Sequence, residues 1–305
     1  MGFRYKYTSF VIQNPNKMTW FLFAFLTALF RSLTDVTGKI GLKNMDEYIV
    51  AWSLFLFAIP FIGLLLLFTD IPEIKPDFWI ALLVGGGLNV FTNLIYMRAI
   101  KLSDLSITIP LITFTPLFML VTSPIILGEF PNIFGVMGIV LIVGGSYILN
   151  FKEKSKGYLA PFKALLKEKG PRLMLLVAFI WSITANFDKI GIQSSSVFFW
   201  PVAVNAFIAI GFIPVVLIKS KNRINQISKN YKTLLPIGFF HGLMIVFQMI
   251  AVSMTLVAYV ISIKRTSAVL SVVFGSVLFK EKGLKERLVG SLIMILGVIL
   301  ITIFN

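Results

Sequence analysis

Long apolar runs alternate with short polar breaks along almost the whole chain, near 19–41, 47–68, 78–100, 105–126, 131–150, 172–192, 197–218, 234–256, 258–279 and 285–304. Crossing the hydrocarbon of a bilayer takes about 20 mostly apolar residues, so the pattern predicts an all-α membrane protein of about ten transmembrane helices. Most breaks are too short for anything but a turn, which makes neighbouring helices antiparallel. Two connections are longer, 151–171 (FKEKSKGYLAPFKALLKEKGP) and 219–233 (KSKNRINQISKNYKT), and Leu159–Leu166 in the first has the character of a short interfacial helix with its lysines at the headgroups. Residues 1–18 form a polar N-terminal segment whose composition does not match a cleaved signal peptide.

The second half of the chain repeats the first. Ser32, Thr34, Lys39, Ile40 and Gly41 recur 150 residues later as Ser182, Thr184, Lys189, Ile190 and Gly191. Gly86, Met97, Ala99, Ile109, Val121, Glu129, Gly138 and Gly145 recur at a spacing of 152 as Gly238, Met249, Ala251, Ile261, Val273, Glu281, Gly290 and Gly297. Chance matches between apolar stretches do not explain paired charges at matching registers. The expected organisation is a first repeat at 19–150, a basic linker at 151–171 and a second repeat at 172–305. With five helices in each copy, an odd number, the second copy enters the membrane from the opposite side, an inverted repeat of the kind common in secondary transporters.

Composition narrows the chemistry. Hydrophobic residues make up 57% of the chain and charged residues 13%, against roughly 45–50% and 25% in a soluble protein, so lipid must serve as part of the solvent. There is no cysteine and one histidine, His241, which excludes disulfides, thiolate metal sites and histidine clusters for zinc or a catalytic triad. No Walker-type phosphate loop is present. No cofactor is expected. The net charge of +15 is not a nucleic-acid signature here, because the basic residues lie in short loops between apolar runs. They collect after the first, third, fifth, seventh and ninth spans, from Lys43 and Lys101 through 151–171 and 219–233 to Lys280–Arg287, while the opposite side holds Arg4, Lys6, Lys17 and Lys75. The positive-inside rule then places both termini outside the cytosol, most simply at the plasma membrane.

The matching ends of the two halves, TPLFMLVTSPIILGEFPNIFGVMGIVLIVGGSYIL and TSAVLSVVFGSVLFKEKGLKERLVGSLIMILGVILITI, resemble the EamA family of the drug/metabolite transporter superfamily. In each, a helix ends in Glu, a tight turn follows, and a glycine-bearing helix comes next. The resemblance runs over about 19–304. It implies a ten-helix bundle in which helices 1–4 and 6–9 surround a central cavity and helices 5 and 10 are peripheral, and a small-molecule substrate such as an amino acid, metabolite, sugar phosphate or nucleotide sugar. Family members are usually described with cytosolic termini, the reverse of what the loop charges here indicate.

An ionised side chain at the bilayer centre costs at least about 2.5–3.5 kcal/mol, so each one inside a span is a functional candidate. Arg31 lies roughly 16 Å into the first span, counted from Trp20, and Asp35 follows one turn later on the same face. The pair contacts substrate or is a self-neutralising structural pair. Asp35 could also carry a coupling proton, which the neighbouring Arg31 would oppose. Lys264 and Arg265, in YVISIKRTSAVLSVV, lie roughly 22–24 Å from the membrane face at Lys280, with no acidic residue near in sequence. Two such cations suit a phosphate or carboxylate, and the alternative is that they pair with Asp35 or snorkel. The dipeptide, followed by Ser267, Val269 and Ser271, is also similar to the triose-phosphate and sugar-phosphate branch of the superfamily, where Lys-Arg in helix 9 holds the substrate phosphate. That branch has a further lysine in helix 4, where this chain has Pro110, Thr113, Thr115 and Pro116. Lys39 and Lys189 read as structural, at a depth that suits snorkelling, with Asp188 adjoining Lys189.

Uncharged polar residues inside the spans complete the candidate substrate site: Asn89 and His241, related by the repeat, with Gln248 and Asn186. Such groups line a cavity or hydrogen-bond between helices. Pro110, Pro116 and Pro124 are expected to bend helix 4. The expected partners are a small-molecule substrate, membrane lipid and a coupling ion or counter-substrate, with no nucleic acid, and the sequence is silent on oligomeric state. The functional expectation is alternating-access transport of a small organic anion. A metabolite exporter with structural cations, a membrane-embedded transferase on lipid-linked substrates and a lipid-headgroup flippase are the alternatives.

Overall fold

The computed structural model describes residues 18–103, 108–150, 163, 167–279 and 284–304. The expected interfacial helix at Leu159–Leu166, most of the basic linker, residues 1–17 and Lys280–Lys282 with Glu281 lie outside these. Among the described residues every regular element is helical: α1 (Thr19–Gly41), α2 (Glu47–Phe68), α3 (Pro76–Leu102), α4 (Pro110–Leu127), α5 (Ile133–Asn150), α6 (Lys169–Gln193), α7 (Phe199–Lys219), α8 (Arg223–Met254), α9 (Val257–Lys264), α10 (Ser267–Phe279) and α11 (Leu284–Ile303). Seven of them, α1–α4 and α6–α8, are long and apolar enough to cross a membrane, and the apolar stretches Ile133–Leu149 of α5 and Leu288–Ile303 of α11 are shorter.

Three helices depart from the expected outline. The connection expected at 219–233 is largely helical, because α8 begins at Arg223. Its polar first turns carry too few apolar residues to signal a span, yet Ile227 packs against Met45, Ile49, Val216 and Leu234. Gln226 ties the same turns to the start of α2: its Oε1 accepts from the Asp46 amide at 3.0 Å, and its Nε2 donates to Asp46 Oδ2 at 3.2 Å. The single helix expected at 258–279 is broken into α9 and α10 at Arg265–Thr266. There the amides of Arg265 and Thr266 donate three residues back, to the Ser262 and Ile263 carbonyls at 3.0 and 2.9 Å, instead of four. In α3 the stretch Ala81–Gly86 winds as a π-helix.

Of the three prolines expected to bend α4, Pro110 lies in a 3-10 start, Pro116 in the first turn of the α-helix and Pro124 within it. Ile109–Phe114 is a 3-10 turn, and regular α-helix follows from Thr115. Gly128 ends the helix with φ of 69°, a left-handed conformation that a side chain would strain, and the Glu129 amide then reaches back to the Ser123 carbonyl at 3.3 Å. That cap holds Glu129 against α6. Glu129 and Lys189 form an ion pair with side chains only 12% and 13% exposed. Lys189 also donates to the Thr255 carbonyl at 2.8 Å, and Glu129 accepts from the Val257 amide at 2.9 Å. The two charges thus clasp the ends of α4 and α6 and the α8–α9 turn. Lys189 was expected to snorkel beside Asp188, but successive helix positions point about 100° apart, and it reaches across to Glu129 instead.

Helix pairing is close where residues are small. α5 lies against α11, α1 against α8, α6 against α3 and α4, and α2 against α7 and α8. In the α5–α11 pair a Cβ on Gly145 would come within 2.6 Å of the Gly290 carbonyl oxygen and one on Gly297 within 2.6 Å of the Gly138 oxygen. Glycine lets the two backbones touch, as expected for helix association in lipid.

Gly145→Val is expected to lower the thermal midpoint of the detergent-solubilised protein by several degrees, an overpacking cost of about 1–3 kcal/mol. Gly144→Val, where an added Cβ meets nothing within 4 Å, serves as the neutral control. Either Glu129→Gln or Lys189→Met alone strands a buried charge and is expected to cost about 3–5 kcal/mol. The double variant should recover much of that loss in the same thermal assay, and additive losses would show that the two charges are not coupled.

Candidate functional site

Arg31 and Asp35 sit one turn apart on α1 and pair at 3.0 Å, with side chains 38% and 41% exposed. They face accessible space in the middle of a span, unlike the Ala24, Ala28 and Ser32 stripe that packs inward. Tyr96 on α3 lies within electrostatic reach of both.

Lys264 and Arg265 fall at the break between α9 and α10. Lys264 Nζ donates to Gln248 Oε1 on α8 at 2.5 Å. Arg265 Nε is buried with no hydrogen-bond partner. Among the described residues neither cation forms an ion pair, so the expected alternative of a salt bridge to Asp35 is absent from this conformation. The charges are nonetheless close enough to act on one another: Arg31 and Asp35 on both Lys264 and Arg265, and Asp188 of α6 on Lys264. His241 on α8 feels Arg31 and Lys264. Its buried ring stands edge-on to Phe55 at 5.3 Å between centroids, and Nδ1 has no partner.

The cluster therefore draws side chains from α1, α3, α6, α8 and α9. Three cations, Arg31, Lys264 and Arg265, face two carboxylates, Asp35 and Asp188. By formal charge the cations outnumber the carboxylates, and Arg265 Nε is without a hydrogen-bond partner. What the site can do chemically is hold a small anion by charge-assisted hydrogen bonds.

The other expected members separate. Gln248 belongs to the cluster through Lys264. Asn186 is drawn into a buried packing network instead: its Nδ2 donates to the Ser182 carbonyl at 2.7 Å and to Thr122 Oγ1 at 3.2 Å, and its Oδ1 accepts from Ser123 Oγ at 2.8 Å. That network stitches α4 to α6, a role open to any buried asparagine between helices. Asn89 sits half buried on α3, three residues past the π-helical stretch, and its carbonyl accepts from the Asn93 side chain at 2.8 Å. Lys39, the repeat partner of Lys189, is exposed at the end of α1 with an interaction of its own. Asp188 and Tyr96 were not among the expected site residues. Asp188 is a carboxylate inside a span, the same signal that marked Asp35, but its adjacency to Lys189 concealed it.

The EamA-like transporter family profile matches residues 18–151 and 169–303. The chain is also similar to an uncharacterized transporter of Archaeoglobus fulgidus, at 22% identity over 92% of this chain and 96% of that protein. Its fold resembles that of a solved crystal structure at a TM-score of 0.75, with 14% identity, covering 94% of this chain and 99% of that one. Two family matches that together take in most of the chain, on a bundle of apolar helices with a charged interior, show that this protein belongs to the EamA-like transporter family and is an integral membrane transporter rather than an enzyme.

Proposed function

We propose that the chain is a secondary transporter of a small organic anion, phosphorylated or carboxylated, with the charge held by Lys264, Arg265 and Arg31. The observation that carries this reading is the surplus of cations without ionic partners where α9 breaks. Each such charge costs at least about 2.5–3.5 kcal/mol in a span, and an anionic guest would supply the missing compensation. Energy would come from exchange or from an ion gradient.

Alternating access between two inverted five-helix repeats is the proposed mechanism, with α9 and α10 together forming the ninth span. The packing supports it. Under the 152-residue shift the contact of Gly138 with Gly297 becomes that of Gly145 with Gly290, and both are present. The pairing of α1 with α8 is likewise mirrored by that of α6 with α3, and α1 with α9 and α10 by α6 with α4. Two halves related by a two-fold axis in the membrane plane would produce such reciprocal contacts.

A second reading has its own support. The Lys264–Gln248 bond and the Arg31–Asp35 pair each satisfy part of a charge within the protein, as expected if the cations serve structure in an amino-acid or metabolite exporter. The missing lysine on α4 also separates this site from the sugar-phosphate branch.

Thermal stabilisation by a panel of sugar phosphates, carboxylates, sulfate, amino acids, amines and nucleotide sugars distinguishes the two. A ligand at about 100 times its Kd stabilises the native state by about 2.7 kcal/mol. Anions are expected to raise the midpoint of the wild type and to lose that effect in Lys264→Ala and Arg265→Ala. Stabilisation by neutral or cationic compounds that survives both substitutions would overturn the anion reading. Orientation is tested separately, since the chain contains no cysteine. Lys221→Cys, between α7 and α8, should react with a membrane-permeant maleimide but not an impermeant one applied to intact cells, and labelling by both would reverse the proposed topology.

A further inference from the structure

Asp188 has no assigned role, and its surroundings are unusual for a carboxylate. It lies on α6 five residues before the end of that helix, roughly 8 Å in depth, and Lys264 lies seven residues after the start of α9, roughly 10 Å in depth. The two helix ends meet at one membrane face, where Lys189 binds the Thr255 carbonyl in the α8–α9 turn. Asp188 and Lys264 are therefore at matching depth, and the ammonium acts on the carboxylate. One carboxylate oxygen accepts from Trp200 Nε1 on α7 at 3.0 Å, and the other makes no hydrogen bond among the described residues.

We propose that Asp188 is the proton-coupling residue of this transporter, exchanging a proton with solvent as the anion arrives at and leaves Lys264. The proposal rests on the anion reading. In the empty carrier the Asp188 carboxylate acts on the Lys264 charge from longer range, without an ion pair among the described residues. An incoming anion takes over that role, leaving Asp188 an ionised group in a span with a single neutral donor, and it binds a proton from water at its free oxygen. The proton leaves to water when the anion does. A monoanion and its proton then cross together with no net charge moved, a dianion such as sulfate and its proton carry one negative charge across, and the empty carrier returns with Asp188 and Lys264 balanced. Neither form carries two anions on one lysine, and that exclusion is the coupling.

Charges from the packed elements leave this arrangement intact. Lys264 of α9 is the charged group acting on Asp188. Glu129 of α4 is held by Lys189, Lys75 before α3 reaches the Gln193 carbonyl at the end of α6, and α8 places His241 toward Arg31 and Lys264. Arg31, Asp35 and Arg265 act on Lys264 and on one another.

Infrared difference spectra of the lipid-reconstituted protein, with and without sulfate or the sugar phosphates of the panel, test the proposal. The wild type should gain the C=O band of a protonated carboxylic acid when the anion binds. Asp188→Asn should bind the anion, by thermal shift, and lose the band completely, and Asp188→Glu should restore it. Anion binding without the band, or a band that survives in Asp188→Asn, overturns the role of Asp188 while leaving the anion reading in place. No stabilisation of the wild type by any anion overturns both. Lys264→Gln gives a readout that needs no ligand: with the ammonium removed, the carboxylic acid band should be present in the empty protein, and its absence there also overturns the proposal. If Asp188→Asn fails to fold, Lys264→Gln and Asp188→Glu decide the matter.

Discussion

Each backbone N–H and C=O that enters hydrocarbon has to find its partner within the protein, because lipid offers none. That constraint accounts for the all-helical character of the described residues. It also bears on three places where the backbone departs from regular helix. The 3-10 start of α4, the π-helical stretch of α3 and the break between α9 and α10 lie where other helices cover them or where polar side chains gather. At Arg265–Thr266 the tighter turn keeps the amides satisfied three residues back, so the break leaves neither donor unpaired.

Charge follows the same constraint with a higher cost. Lys189 and Glu129 are buried together, and each gains a second hydrogen bond from the backbone of the α8–α9 turn. This is what a buried ion pair needs to offset its desolvation. Arg31 and Asp35 neutralise each other within one helix turn and remain half exposed. Lys264 and Arg265 have neither arrangement. Their neighbours are the amide of Gln248 and each other, with Asp188 and Asp35 at longer range. One molecule thus contains a closed ionic clasp that holds helices together and, where α9 breaks from α10, two cations without an ion pair among the described residues.

Packing without a hydrophobic driving force rests on close approach. Gly138 and Gly145 against Gly297 and Gly290 bring α5 and α11 into backbone contact, and Gly85 and Gly86 give Phe187 and Phe207 room against α3. The Asn186–Thr122–Ser123–Ser182 network does for α4 and α6 what glycine does for α5 and α11, using hydrogen bonds in place of contact area.

Apolar runs of spanning length and scarce charge are local properties, so the membrane class and the all-helical character were legible in the residues alone, and the recurrence of Lys39 as Lys189 and Glu129 as Glu281 is the periodic signal from which a two-part organisation is read. The cationic pair at Lys264 and Arg265 was legible for the same reason, since a charge inside an apolar run needs no neighbour to be noticed. Partnership was not legible, because it is decided across helices distant in sequence. Lys189 finds Glu129 sixty residues away rather than the adjoining Asp188, Asn186 turns to packing, and Gln226 makes a helical start of a stretch that composition marks as a loop. Sequence spacing sets which residues share a helix face; only the crossing of α4, α6, α8 and α9 determines which charges are paired and which are not.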